Sequence, residues 1–223
     1  MSSAPATGSE GARSGVKLSS YKDPRPMSYL FRRLLWACVQ VPFWLRVPRV
    51  LSPIRVALLR MFGAQIGQRC LVGSARIWIP WNLHMGEYSA IGDSAEIYNL
   101  APVRIGSNSV ISQRSYICTA THDYTKPSFP IYSVPITIGS SAWIAAGVFI
   151  APGVNVGDGA VVGALSVVTK DVLPWTVSVG NPCRVIKSRE IEDIKVAELN
   201  TVVPADGMEL AEEVDINRRP ATR

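Results

Sequence analysis

From Ile66 onward the apolar positions of this chain recur every six residues. Set out in sixes, MGEYSA, IGDSAE and IYNLAP cover 85–102, and IGSNSV, ISQRSY and ICTATH follow at 105–122 after a slip of two. After a longer interruption IGSSAW, IAAGVF, IAPGVN, VGDGAV, VGALSV and VTKDVL cover 138–173; a weaker pair, IGQRCL and VGSARI, stands earlier at 66–77. The first position is apolar throughout, from Met85, Ile91 and Ile97 to Val162 and Val168. The second is often glycine, and the fifth is small or β-branched. Six fits neither the 3.6 period of a helix nor the two-residue alternation of a strand. Repeats on this scale mark a solenoid. Each hexad predicts a short strand and a tight bend, three hexads close a triangular coil, and the first residue points inward to stack on its equivalents. Glycine at the second position is expected to absorb the backbone angles of the bend. The fold class is all-β, a parallel β-helix over residues 63–189 whose coils pair as strands about 4.8 Å apart.

Outside the repeat the pattern changes. Residues 1–26 are rich in Ser, Gly, Ala and Pro and are expected to be disordered. Residues 27–62 mix apolar and aromatic side chains with Arg32, Arg33, Arg46, Arg49, Arg55 and Arg60. They predict helical pieces broken at Pro42, Pro48 and Pro53. One reading of this extension is a cap over the end of the coil; the other is a basic amphipathic segment lying on an anionic membrane surface. Beyond Arg189, EIEDIKVAELN predicts a short helix and the rest of 190–223 a frayed tail.

Hydrophobic residues make up 48% of the chain, enough for a sizeable core. The net charge of +6 raises the question of nucleic acid, but residues 21–60 alone carry +7 and residues 61–223 carry −2. The repeat domain has no basic stripe, so no nucleic-acid partner is expected. Cys38, Cys70, Cys118 and Cys183 form no CxxC pair, so neither a zinc knuckle nor a disulfide framework is expected, and a reducing, cytoplasmic setting fits. No apolar run is long enough to span a membrane.

At this point the chain resembles a known family. Residues 66–189, and above all the stretch from CTATHDYTKPSF through VVTKD to GNPCRVIK, resemble the hexapeptide-repeat acyltransferases of the galactoside and maltose acetyltransferase branch. The LLRMFGAQIG and WNLHMGEYSAIGDSAEIY segments are similar to the subgroup associated with colanic acid and other exopolysaccharides. The resemblance implies a left-handed coil, an exception to the usual right-handed crossover. It also implies a homotrimer with sites between subunits, acetyl-CoA as donor, and a sugar or lipid-linked sugar as acceptor, met at the inner membrane face.

Of two histidines, His122 ends a hexad where the repeat breaks into a proline-stiffened loop, 123–135, and loops on rigid scaffolds often carry function. It is the expected general base: imidazole takes the proton of a sugar hydroxyl as that oxygen attacks the thioester, and returns it to the leaving thiolate, with no covalent enzyme intermediate. His84 is expected to be structural. The resemblance places an oxyanion-binding backbone N–H at Ala146. Small side chains at Ala146 and Ala164 leave room for the pantetheine arm, and Thr169, Lys170, Arg184 and Lys187 match family positions at the cofactor groove. Trp143 is a wall of that channel or packing beneath the loop. Asn99 is implied as an acceptor-binding amide. Asp123 is placed with it, though it also has readings as an orienter of His122 or simply the start of the loop. Cys118 is not assigned a nucleophilic role. No metal is expected, because a zinc hydratase on this fold needs three histidines. A scaffold without catalysis, or another small acceptor, are the competing readings.

Overall fold

The hexad's first residues form the core. Met85, Ile91, Ile97, Ile105, Ile111, Ile117, Ile138, Ile144, Ile150, Val156, Val162 and Val168 are all buried in one continuous cluster. Each such side chain contributes about 1.5–3 kcal/mol by leaving water. The computed structural model describes residues 15–20, 25–40 and 51–191. The helix expected after residue 190, the prolines at 42 and 48, and most of residues 1–26 lie outside these.

Two- and three-residue strands stack into three parallel sheets, the faces of a triangular β-helix. Face A runs from Gln65–Ile66 through Leu83–Met85, Val103–Ile105 and Ile136–Ile138 to Asn155–Val156. Face B runs from Leu71–Val72 through Trp143–Ile144 to Thr176–Val179 and closes on Arg184–Ser188, which pairs antiparallel. Face C runs from Arg76–Ile77 through Tyr116–Cys118 to Val167–Val168. The chain visits A, B and C in turn, so the corners are AB, BC and CA. In-register pairs such as Ile91 with Ile111, and Ile150 with Ile117, put like residues on like.

The second-position glycines have a different reason from the one expected. Their φ angles are not positive; the left-handed backbone falls two residues later, at Tyr88, Ser94, Asn108, Arg114, Ser141 and Leu165, with φ between 56° and 60°. What the glycines permit is close stacking. A Cβ on Gly106 would lie 2.4 Å from the Ser140 nitrogen of the next coil, closer than real Cβ atoms come. Fifth-position serines also do more than fit. The buried Ser89 hydroxyl donates to the Gly106 carbonyl at 2.7 Å, and Ser109 to that of Gly139 at 2.7 Å, which ties successive coils together at corner AB.

Helices α1 (Met27–Val39) and α2 (Ser52–Met61) precede the first coil. Pro53 starts α2 rather than breaking a helix, because the first turn needs no intrahelical N–H there. Trp36 is buried, with its ring N–H on the Ile77 carbonyl at 2.6 Å, and Arg55 is buried with its guanidinium toward the Val72 carbonyl.

Candidate active site

Among the described residues the coil opens into a hairpin at corner CA. The hexad ICTATH holds to its pattern only as far as Thr119, whose hydroxyl donates to the Tyr98 carbonyl at 3.0 Å. The chain then leaves as an antiparallel hairpin, Ala120–His122 against Ile131–Ser133, and rejoins the stack at Ile136. The excursion therefore begins three residues before the expected 123–135 loop, and His122 stands on the hairpin arm instead of closing a hexad. Thr121 is accordingly not buried, unlike the other fifth-position residues from Ser89 to Val172.

His122 is exposed, yet its ring is fixed. It stacks on Phe129, with centroids 4.4 Å apart and planes 12° from parallel. Nδ1 lies 2.9 Å from the Phe129 carbonyl oxygen. A carbonyl only accepts, so Nδ1 carries the proton and Nε2 keeps the lone pair. Among the described residues no group bonds Nε2. Phe129 presents this carbonyl from a left-handed backbone, φ 46°, at the end of the tight turn from Asp123. The turn is held by Asp123, whose carboxylate accepts from the Thr125 N–H and hydroxyl and pairs with Lys126 at 3.1 Å. The Thr125 hydroxyl, then Lys126, hold the Asp123 carboxyl below the usual range. Asp123 thus starts the loop, and orientation of His122 falls to a main-chain carbonyl that no sequence motif announced. The Pro127 carbonyl of the same turn accepts from the Lys17 N–H at 2.7 Å.

Corner BC carries a cavity of about 770 Å³ lined by Gly92, Asp93, Ser94, Gln113, Arg114, Ala146, Gly147, Ala164 and Leu165. The expected small residues Ala146 and Ala164 do meet here, in adjacent coils. The N–H groups of Ala145 and Gly147 donate to Val162 and Gln113, whereas that of Ala146 has no backbone acceptor among the described residues. The third-position N–H groups of Glu87 and Ser107 likewise have no backbone acceptor among the described residues; what sets this corner apart is the space left by alanine side chains. Arg114 supplies a cation that sequence reading passed over; its basic side chain in an otherwise regular hexad is a weak signal.

The remaining expected residues divide. Thr169 and Lys170 are exposed at corner CA, on the edge that carries the hairpin. Trp143 is half-exposed on face B, between Val110 and Val161, with its N–H on the Ser112 hydroxyl at 3.0 Å. It does not pack under the loop, which springs from another corner. Arg184 and Lys187 are exposed on the edge strand of face B.

Asn99 does not face an acceptor, contrary to what the resemblance implied. It is fully buried, and its amide accepts from the Ile79 N–H at 2.9 Å and donates to the Ile79 carbonyl at 2.7 Å. Both ends of the amide serve the coil below, so it has no face to offer an acceptor. Cys118 is also buried in the wall, its thiol on the Ala120 carbonyl at 3.2 Å. His84 sits on face A with Nδ1 3.0 Å from Gln65, and burial, then Arg104, hold its pKa below the ordinary histidine value. Among the described residues no three His, Cys, Asp or Glu side chains gather as a metal ion would require.

Comparison with known proteins meets this geometry from outside. The bacterial transferase hexapeptide family (six repeats) matches residues 135–170. A protein of Escherichia coli K12 named for acetyl transfer in colanic acid biosynthesis, WcaF, is 46% identical over 156 residues, 70% of this chain and 86% of the relative. Among solved structures, a maltose O-acetyltransferase from Clostridium difficile 630 superposes with TM-score 0.64 at 32% identity, over 74% of this chain and 90% of the other. A galactoside acetyltransferase in complex with coenzyme A superposes with TM-score 0.69 at 28% identity, over 78% and 92%. With its stacked hexads and a relative of this identity matched over most of its length, the chain belongs to the hexapeptide-repeat acetyltransferases and is an acyltransferase.

Proposed function

We propose that this chain moves an acetyl group from acetyl-CoA directly to a sugar hydroxyl, with His122 as general base, in the building of an exopolysaccharide. The observation that carries the reading is the His122 ring: Nδ1 is committed to the Phe129 carbonyl and Nε2 is open. In the mechanism Nε2 takes the hydroxyl proton as the sugar oxygen bonds to the thioester carbonyl carbon. The tetrahedral oxyanion accepts from the Ala146 N–H. Collapse breaks the C–S bond, and the thiolate takes the proton back from His122. Positioned acid–base catalysis of this kind is worth roughly 10²–10⁴ in rate.

In one chain His122 and Ala146 stand at different corners, CA and BC. A complete site therefore takes the hairpin from one copy and the alanine-lined groove from another, which supports a homotrimer with three shared sites. CoA spans this arrangement: the pantetheine arm lies along Ala146 and Ala164, and cations such as Arg114, Lys170, Arg184 and Lys187 meet the phosphates. The named relative supports the exopolysaccharide setting, and the coenzyme A complex of the galactoside enzyme supports the donor.

The test is release of free thiol from acetyl-CoA in the presence of a panel of sugars and nucleotide sugars, with coenzyme A binding measured in parallel. Turnover with one acceptor, lost in His122→Ala while coenzyme A still binds, is expected. Turnover unchanged in His122→Ala would remove the base, and failure to bind coenzyme A would remove the donor.

A further inference from the structure

The hairpin that carries His122 has little of its own to hold it still. A two-stranded hairpin is marginal in water unless something supports it. No residue from 121 to 135 is buried. Yet the His122 ring depends on a carbonyl at the far end of the turn, and Phe129 presents that carbonyl from a left-handed backbone, φ 46°. A phenylalanine stays in that region only where its surroundings hold it.

Two kinds of bond do the holding. The first set lies inside the turn and fixes its shape. The Asp123 carboxylate takes the Thr125 N–H, the Lys126 N–H donates to the Asp123 carbonyl, and the Phe129 N–H donates to the Lys126 carbonyl at 2.9 Å. That last bond closes a β-turn over 126–129 with Pro127 at its second position, the place proline favours. The second kind comes from outside and fixes the turn's place. The Pro127 carbonyl, in the central peptide of this β-turn, accepts from the Lys17 N–H at 2.7 Å. The other arm also faces the N-terminal part of the chain. Arg25 and Tyr29, at the start of α1, line a cavity of about 200 Å³ with Leu100, Ile131, Tyr132 and Ser133, and Ile131 is the residue paired with His122. Tyr29 meets Trp81 edge-on at 5.8 Å, and Trp36 farther along α1 is buried, so the helix is anchored on the first coils and begins beside the hairpin.

We propose that the segment around Lys17 is a strap that positions the general base: its main chain holds the turn, and through it the Phe129 carbonyl, against His122 Nδ1. Lys17 is then a positioning residue, acting through its backbone N–H without touching substrate. The inference rests on the reading of His122 as base, and adds what keeps an unburied hairpin in register with the chemistry. A base set slightly off its line of approach slows proton transfer, while the cofactor groove at corner BC is untouched. The loss therefore belongs in kcat and not in KM for acetyl-CoA.

The test compares Lys17→Pro, which deletes the N–H, with Lys17→Ala, which keeps it, in steady-state thiol release by the full chain. Lys17→Pro is expected to lower kcat about 2- to 10-fold, the worth of one net hydrogen bond, with KM for acetyl-CoA and the melting temperature unchanged. Lys17→Ala is expected to keep the wild-type rate, and deletion of residues 1–20 to match Lys17→Pro. In a His122→Ala background Lys17→Pro is expected to lower the residual rate no further, because the strap works only through the base. A wild-type rate in Lys17→Pro or in the deletion, an equal loss in Lys17→Ala, or the same further loss without His122 would each overturn the strap. Full activity in His122→Ala would overturn the base and the strap together; an inactive His122→Ala beside a fully active Lys17→Pro would overturn the strap alone.

Discussion

His84 and His122 lie in two kinds of backbone, and that difference decides what each can do. His84 is in the middle of a face-A strand, with Gln65 below it and Arg104 above in register. Its Nδ1 meets a side chain, and the stack desolvates it. His122 is on a hairpin that leaves the stack; a main-chain carbonyl fixes its tautomer and, among the described residues, its other nitrogen is open. The regular coil absorbs polar residues into its own bonding, as it does the Asn99 amide. An open ring nitrogen stands where the coil breaks.

The largest effect should separate the two histidines. His122→Ala is expected to lower kcat by about 10²–10⁴, and His84→Ala to leave it within a few-fold, in steady-state thiol release. A deep loss in His84→Ala would break the comparison. Asn99→Ala comes next. It leaves the buried N–H of Ile79 unpaired, at about 1–3 kcal/mol, while the Ile79 carbonyl keeps the Asn82 N–H at 3.1 Å. The melting temperature should fall clearly, while KM for the acceptor in the folded fraction stays unchanged; a raised KM would restore an acceptor-binding role.

Phe129→Ala keeps the carbonyl and removes the stacked ring. It is expected to lower kcat roughly 2- to 10-fold, the worth of an aromatic pair, with KM for acetyl-CoA unchanged. The smallest effect concerns acid. Because the folded state holds the His84 pKa below its unfolded value of about 6.5, the unfolded chain binds the proton more readily. Above that pH the group contributes no penalty; as pH falls through 6.5 toward the folded value, stability declines and then levels off. Denaturant titrations of wild type and His84→Gln should converge above about pH 7, and the variant should lose less stability on acidification.

The coil was legible because its period is carried by the packing itself: an inward isoleucine or valine at each sixth position is what the stack requires. The break was legible too, as the interval between His122 and Ile138 where the period lapses, although the chain leaves the stack earlier, at Ala120. The glycine rule was read for the wrong reason, since a near-contact between coils leaves no mark in local sequence different from a bend. Asn99 misled because a buried amide and a ligand-binding amide are the same residue type, and only burial against Ile79 separates them. The Phe129 carbonyl was illegible because every residue has one. Corners BC and CA were legible as turns, but only the family resemblance implied that the site lies between subunits; the residues themselves did not mark His122 and Ala146 as standing apart in one chain.

That separation is the central claim, and subunit complementation tests it most directly. His122→Ala and Ala164→Trp, the second filling the corner groove, are each expected to be inactive as pure oligomers. Co-expressed under two tags and isolated through both, the mixed oligomers are expected to regain thiol release with the acceptor, because an intact hairpin then meets an intact groove. Mixed oligomers as inactive as either parent would place the whole site within one chain and contradict the account.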